Sequence, residues 1–292
     1  MRDELTTVTD YQFKFESAGK GFLVQDDDDT DPNGFDPLKT HFGLAKSSWQ
    51  EFTDDFVSLQ KNADEKTRYK LLFLARHGQG FHNYGELKYG TEAWDSYWAM
   101  LNGDGEIVWG PDPELTELGI EQAKDNNVGW KREIGNGVPR PQTFYVSPFT
   151  RALDTMHYTW DSIALNSGKV EPPLVVEDIR EANGEHTCDK RRTRSFIERR
   201  FSRVVCEKSM TEEDELWTPR REKDSEQDVR TSRFLHNVFN HDWEGVDSVD
   251  SYISITCHSG TINSFLRVIG HRVFGLLPGG MIPVIVKAVR KS

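Results

Sequence analysis

Short apolar runs alternate with amphipathic stretches along the chain after residue 70. The apolar runs read KLLFLA, TFYVS, LVVED, SYISITC and MIPVIVKAV, and each has the length of one strand. Between them lie helical patterns, including one that starts near Phe149 and one that contains Phe234, Leu235, Val238 and Phe239. This alternation predicts an α/β protein with three α/β/α layers and a mostly parallel central sheet.

Two segments depart from this pattern. The first 68 residues are polar and rich in turn formers, with QDDDDTDPNGFDP at their centre. We predict that residues 1–68 form an N-terminal extension packed on a core domain of residues 69–292. The aspartates do not have the spacing of a calcium-binding loop, which favours a solvated acidic loop. Residues 199–228 mix both charge signs and are predicted to form a mobile loop.

Composition narrows the classes of partner. The 292 residues include 36 basic and 48 acidic side chains, for a formal charge of -12, which disfavours nucleic acid and anionic membranes as partners. The three cysteines form no C-x-x-C pair, and this favours a reducing compartment. Neither a secretory signal nor an 18-residue apolar stretch is present. We therefore expect a cytoplasmic or nuclear protein that acts on a small molecule.

Cationic and imidazole side chains follow three of the predicted strands. Arg76 and His77 come after the first, Arg151 follows the second, and His258 comes directly after SYISITC. Because the carboxyl ends of parallel strands meet at one edge of a sheet, these side chains are expected to line one crevice. The helices that follow point their N-termini at this crevice and favour anions there.

This set of side chains suits a phosphoryl group better than a metal ion. Arginine repels cations, whereas its planar guanidinium matches the oxygens of a phosphate group. Neutral histidine is a nucleophile near pH 7, and a phosphohistidine intermediate would divide one difficult displacement into two easier steps.

Five motifs in order resemble the histidine phosphatase superfamily, which includes the cofactor-dependent phosphoglycerate mutases. They are LARHGQGFHN, PELTELGIEQA, SPFTRALDT, IREANGEHTCDKRR and CHSGTI, and the similarity extends over residues 71–286. The sequence is most similar to the phosphomutase-like phosphatases of fungi and plants. The resemblance implies a phosphoglycerate mutase-like fold.

The resemblance also implies a role for each matching residue. His77 would be the nucleophile, Glu181 the proton donor, and His258 a second catalytic residue that stabilises the transition state. The substrate phosphate would be bound by Arg76, Asn83, Arg151 and Ser259. Neither a metal ion nor an organic cofactor is expected.

Several of these residues also fit simpler roles. Glu177 and Asp178 compete with Glu181 for the role of proton donor, and Arg180 could pair with one of them. Asn83 equally fits a turn or a helix cap. Arg76 and Arg151 could instead form structural ion pairs.

A basic stretch, residues 190–203, has two interpretations. Its seven basic residues could form a solvated, ion-paired helix with Glu185, Asp189 and Glu198 as partners. Alternatively, Lys190, Arg191 and Arg192 could lie at the rim of the pocket and attract a phosphorylated substrate.

Departures from the family pattern favour hydrolysis over phosphoryl transfer. The mutases have an E-R-x-Y-G-x-x-x-G segment, whereas this chain reads EANGEHTCDKRRTR, and Ser259 replaces the glycine after the second histidine. We expect a metal-independent phosphatase for a small phosphorylated metabolite, such as a sugar phosphate or an inositol phosphate. The alternatives are a mutase, a non-catalytic phosphatase-like module and a nucleic-acid binder that uses the arginine-rich stretch.

Overall fold

Seven strands and eight helices form the framework in the computed structural model, which describes residues 12–165, 170–243 and 251–291. The strands are β1 (Phe13–Ser17), β2 (Thr67–Arg76), β3 (Thr143–Val146), β4 (Leu174–Val175), β5 (Val205–Cys206), β6 (Tyr252–Cys257) and β7 (Met281–Arg290). The helices are α1 (Trp49–Lys61), α2 (Phe81–Tyr89), α3 (Thr91–Ser96), α4 (Glu117–Gly135), α5 (Thr150–Trp160), α6 (Arg194–Arg200), α7 (Asp224–Asn240) and α8 (Ser259–Val268).

The strands form one mixed sheet in the order β1-β7-β2-β6-β3-β4-β5. Strands β2, β6, β3, β4 and β5 run parallel, whereas β7 is antiparallel to both β1 and β2. The mostly parallel sheet confirms the predicted α/β class. All five predicted apolar runs form strands, although the run LVVED contributes only two residues to β4.

Both faces of the sheet are covered, as alternate residues of β2 show. Leu72 and Leu74 pack into one core together with residues of α7 and α8. Leu71 and Phe73 point to the other face, where α1, α4 and α5 supply the opposing side chains. A central strand that is buried on both sides reads as a continuous apolar run, and this run was the strongest signal in the sequence.

The N-terminal residues take part in the sheet. Strand β1 pairs with β7 at the sheet edge, and α1 packs on one face through the buried residues Trp49, Phe52 and Phe56. Helix α1 begins after Ser48, whose hydroxyl accepts a hydrogen bond from the Glu51 N–H. The predicted boundary between residues 68 and 69 lies inside β2.

The segment predicted to be a mobile loop is anchored to the protein, which corrects that prediction. Strand β5 lies within residues 199–228, and α7 begins at Asp224. The buried Arg180 guanidinium donates to both Asp214 carboxylate oxygens, at 2.8 and 2.6 Å. Composition could not reveal this contact because the two residues lie 34 positions apart.

No helix in the described part of the chain is long and apolar enough to cross a membrane.

Candidate active site

The carboxyl ends of β2 and β6 place two histidines side by side. Arg76, the last residue of β2, is paired in register with Cys257, the last residue of β6. The His77 N–H then donates to the Cys257 carbonyl at 3.0 Å. The rings of His77 and His258 lie 5.0 Å apart between their centroids. The structure therefore brings the two predicted catalytic histidines together.

The His77 ring is held in one tautomer. Its Nδ1 atom lies 2.7 Å from the Gly78 carbonyl oxygen, which can only accept a hydrogen bond. Nδ1 must therefore bear the proton, and Nε2 keeps its lone pair. Burial, followed by the charges of Arg151 and Arg76, holds the pKa of His77 well below its ordinary value of 6.5. The ring is neutral at physiological pH and can act as a nucleophile through Nε2.

His258 has one ring nitrogen without a protein partner. Its Nε2 lies 2.6 Å from the Ser147 hydroxyl, and its ring packs edge-on against Phe149. Nδ1 is buried and has no hydrogen-bond partner among the described residues. Since a buried polar atom without a partner is costly, this nitrogen is suited to meet an oxygen of a bound ligand.

Arg76 and Arg151 are each fixed by protein oxygens through part of the guanidinium only. Arg76 donates through Nη1 to the Leu276 carbonyl at 2.5 Å. Arg151 donates through Nη1 to the Cys188 carbonyl at 2.8 Å and through Nη2 to the Asp189 carboxylate at 2.9 Å. The Nε atoms of both arginines are buried without a partner among the described residues. Both side chains are thus oriented and keep donors for phosphate oxygens.

Two glycines explain why separate sequence motifs meet here. A Cβ atom at Gly78 would lie 2.3 Å from the Gly119 carbonyl oxygen, and one at Gly119 would lie 2.1 Å from the Gln79 carbonyl oxygen. Only glycine at both positions lets the first turn of α4 pack against the loop after β2. The R-H-G and L-T-x-x-G motifs therefore form one packed unit.

Glu181 lies beside the helix that follows His258. Its carboxylate accepts hydrogen bonds from the Gly260 N–H at 3.0 Å and from the Ala182 N–H at 2.9 Å. A Cβ atom at Gly260 would lie 2.2 Å from Glu181 Oε1, so a larger residue here would displace the Glu181 carboxylate from this position. The carboxylate occupies the N-terminus of α8, where the helix dipole favours negative charge.

The two competing carboxylates bind arginines instead. Glu177 forms ion pairs with Arg180 and Arg191, at 3.1 and 2.6 Å. Asp178 pairs with Arg233 at 2.5 Å. This geometry favours Glu181 among the three candidates for the proton donor.

Asn83 and Ser259 have local positions that bear on their predicted roles. The Asn83 side-chain oxygen accepts a hydrogen bond from the Gly80 N–H at 3.0 Å, so Asn83 caps α2. Ser259 is the half-buried first residue of α8 and directly follows His258. Phosphate binding by either residue remains a prediction.

The predicted rim residues divide into two kinds. Lys190 and Arg192 are exposed, and they lie over the rings of Trp217 and Phe196. Arg191 is buried, which corrects its placement at the rim. Its guanidinium binds Glu177 at 2.6 Å and the carbonyls of residues 211–213. All three of its guanidinium nitrogens donate to protein oxygens, so this arginine holds the polypeptide and offsets the cost of its burial.

Sequence analysis missed two residues at the site. The His82 ring lies 5.2 Å from the His77 ring, and its Nδ1 is buried without a partner among the described residues. Its place in the GFHN end of the first motif was the available signal. Arg230, on α7, donates to the carbonyls of Asp178, Arg180 and Glu181 at 2.8, 2.7 and 3.0 Å. Arg230 holds the backbone around Glu181, the candidate proton donor. It lies 49 positions from Glu181 in the sequence, so no local motif pointed to this contact.

One group of three potential metal ligands occurs in the described chain, formed by His186, Cys188 and Asp189. Both Asp189 oxygens already bind arginines, since Arg151 and Arg221 lie 2.9 and 2.7 Å away. Burial raises the pKa of the Cys188 thiol well above its ordinary value, which opposes the thiolate that a metal needs. These residues fit an ion-pair network better than a cation site.

The three histidines at the site predict a loss of stability in mild acid. Burial, and then Arg151, lowers the pKa of His77, His82 and His258 well below 6.5. Below pH 6.5 the unfolded chain therefore binds protons that the folded chain does not, and the free energy of unfolding falls as the pH falls. In His82→Asn this slope should be smaller, by up to about 1.4 kcal/mol per pH unit at the acid end of the range, where the unfolded imidazole is fully protonated. Urea unfolding between pH 7.5 and 5 measures both slopes, and equal slopes would contradict the assignment.

An α/β sheet with paired histidines and arginines at its carboxyl edge is typical of an enzyme that handles phosphoryl groups. The chain belongs to the histidine phosphatase superfamily (branch 1), whose family model matches residues 72–273. This confirms the resemblance predicted from the five motifs.

Curated relatives include both mutase and phosphomutase-like names. The chain is 41% identical to a probable phosphoglycerate mutase of Arthroderma benhamiae over 93% of this chain and 84% of that protein. It is 33% identical to phosphomutase-like protein 3 of Candida albicans over 92% of this chain and 79% of that protein. Among solved structures, a phosphoglycerate mutase from Bacillus anthracis is 12% identical, with a TM-score of 0.48 over 76% of this chain and 90% of its own.

Proposed function

We propose that this protein is a phosphatase that hydrolyses a small phosphorylated metabolite through a phosphohistidine on His77. The main support is the state of His77, which is neutral and held in the tautomer that leaves Nε2 unprotonated, close to the charges of Arg76 and Arg151. A metal ion is not required, since the nucleophile is already activated and the arginines supply positive charge.

In the first half-reaction, His77 Nε2 attacks the phosphorus atom while the bond from phosphorus to the ester oxygen breaks. The negative charge of the bound phosphoryl group favours the protonated form of Glu181, which gives its proton to the leaving oxygen as the alcohol departs. Arg76, Arg151 and the His258 ring stabilise the charge on the three equatorial oxygens of the transition state.

In the second half-reaction, water displaces His77 from phosphorus. The Glu181 carboxylate takes a proton from the water as its oxygen attacks, and the phosphorus–nitrogen bond breaks. Inorganic phosphate leaves, while neutral His77 and protonated Glu181 are regenerated. The same carboxyl group therefore serves as acid and then as base.

A mutase is the second candidate, and the relatives' names favour it. A mutase must retain the phosphohistidine and a repositioned substrate before water arrives. The mutase segment that would retain phosphoglycerate is absent from residues 181–194.

Product distribution separates the two candidates. With 3-phosphoglycerate and a bisphosphorylated primer, we expect release of inorganic phosphate at each turnover and little 2-phosphoglycerate. The reason is that the chain lacks the mutase segment that would retain the reaction intermediate, so water reaches phospho-His77. Phosphorus NMR of the reaction mixture measures both products. Rapid formation of 2-phosphoglycerate with little free phosphate would identify a mutase and reject the proposal.

A further inference from the structure

A second arginine shares a carboxylate with the phosphate-binding candidate Arg151. Asp189 is buried between the two, with Arg151 Nη2 at 2.9 Å from one oxygen and Arg221 Nη1 at 2.7 Å from the other. The two guanidinium groups are thus separated by the width of one carboxylate group. Arg221 lies just before α7, in the segment that the sequence predicted to be mobile.

Arg221 is held firmly through one nitrogen only. Besides Asp189, its Nη1 donates to the carbonyls of Ala182 and Gly184, both at 3.0 Å. These carbonyls belong to the loop directly after Glu181. Within the part of the chain that the structure describes, neither Nε nor Nη2 of Arg221 has a hydrogen-bond partner.

The free edge of Arg221 is open to solvent, unlike that of Arg151. The Arg221 side chain keeps 31% of its surface exposed, whereas that of Arg151 keeps 1%. An arginine with one anchored nitrogen and two nitrogens free to donate is already oriented, so it can bind an anion with little loss of side-chain freedom. Lys190, which directly follows Asp189, is exposed, and its ammonium lies over the Trp217 ring at 5.1 Å from the centroid.

We propose that Arg221 forms a second anion subsite beside the phosphoryl pocket, and that the substrate has a carboxylate or a second phosphate close to the phosphate that is removed. This inference rests on the proposed function, because the reacting phosphoryl group must occupy the site of His77 and Arg151. The short separation of Arg151 and Arg221 favours compact metabolites with two anionic groups over esters of long neutral alcohols.

Non-hydrolysable phosphonates test this subsite without turnover. The probes are propylphosphonate, 3-phosphonopropionate, which has a carboxylate in place of the methyl group, and ethane-1,2-bisphosphonate. Calorimetry with the full chain should show at least one of the two probes with a second anionic group binding at least about tenfold more tightly than propylphosphonate, as a charge-assisted hydrogen bond allows. Tighter binding of 3-phosphonopropionate would identify the second group of the substrate as a carboxylate, and tighter binding of the bisphosphonate would identify it as a phosphate.

Arg221→Gln should reduce this preference to less than about threefold, because the glutamine amide has neither the positive charge nor the paired N–H donors of a guanidinium. Arg220→Gln is the matched control, since it removes the same charge one position away from a side chain that is paired with Glu226 at 2.9 Å. The control should keep the wild-type preference. If Arg221→Gln fails to fold, Arg221→Lys replaces it and should show a reduced preference.

Three results would overturn the subsite. The first is equal binding of all three probes by the wild-type protein, which leaves the proposed phosphatase function standing. The second is an unchanged preference in Arg221→Gln or Arg221→Lys. The third is an equal loss of affinity for all probes in Arg221→Gln, which would show that the arginine only supports the loop. Binding of none of the probes would reject the phosphoryl site itself, and with it the proposed function.

Discussion

Replacing His77 with alanine is expected to lower kcat/KM for any phosphomonoester by at least about 10⁴-fold, because removing a nucleophile leaves only binding and charge stabilisation. The effect on folding should be small. Among the described residues, the imidazole has one hydrogen-bond partner, the carbonyl of its neighbour Gly78, and burial disfavours its charged form. Released phosphate measures the activity, and circular dichroism with thermal unfolding measures the fold.

The control for this change is His157→Ala, which removes an exposed imidazole from α5. It should keep wild-type kcat/KM. If a folded His77→Ala variant retains kcat/KM within about tenfold of wild type, then His77 is not the nucleophile. Without the nucleophile, binding and charge stabilisation alone cannot support that rate of hydrolysis.

The second large effect is expected for Glu181→Gln, and it should depend on the leaving group. With an alkyl phosphate, kcat/KM should fall by about 10²- to 10⁴-fold, because the alkoxide needs a proton as it departs. With an aryl phosphate whose phenol is strongly acidic, the fall should be less than about tenfold. Glutamine has the same size as glutamate and can still occupy the site beside the Gly260 N–H.

Glu215→Gln provides the matched control for Glu181→Gln. Glu215 is exposed in the segment before α7, and its substitution changes the net charge by the same amount. Its ratio of alkyl to aryl activity should equal that of the wild type. An equal fall for both esters in Glu181→Gln would show that the residue supports the site without transferring a proton.

The sheet and its central residues could be predicted because their signals are local. The apolar runs of β2 and β6 are buried on both faces, so their strands read as unbroken hydrophobic stretches. The residues directly after these strands could be placed in one crevice, because the carboxyl ends of parallel strands meet at the same edge of the sheet. His77, Arg151 and His258 were found in this way. The edge strand β1 was missed, since FKFES gives only a short alternating pattern inside a polar region.

Long-range ion pairs could not be predicted from the sequence. Lys190 and Arg191 are adjacent basic residues in the sequence, yet Arg191 is buried against Glu177 while Lys190 remains exposed. Whether such a side chain reaches solvent depends on carbonyls and carboxylates that lie up to 22 positions away. The role of Arg221 could not be predicted for the same reason, because its partners Asp189 and Ala182 lie more than 30 positions earlier.

The most direct test of the mechanism is to find the phosphoryl group on the protein during a single turnover. Enzyme in excess over an aryl phosphate is quenched in alkali, in which phosphohistidine survives, and the peptides are examined by mass spectrometry. We predict that the peptide containing His77 gains one phosphoryl group before free phosphate appears, and loses it at the rate at which free phosphate forms. Phosphate release with no phosphorylated His77 at any time, or with the phosphoryl group on another residue, would contradict the proposed mechanism.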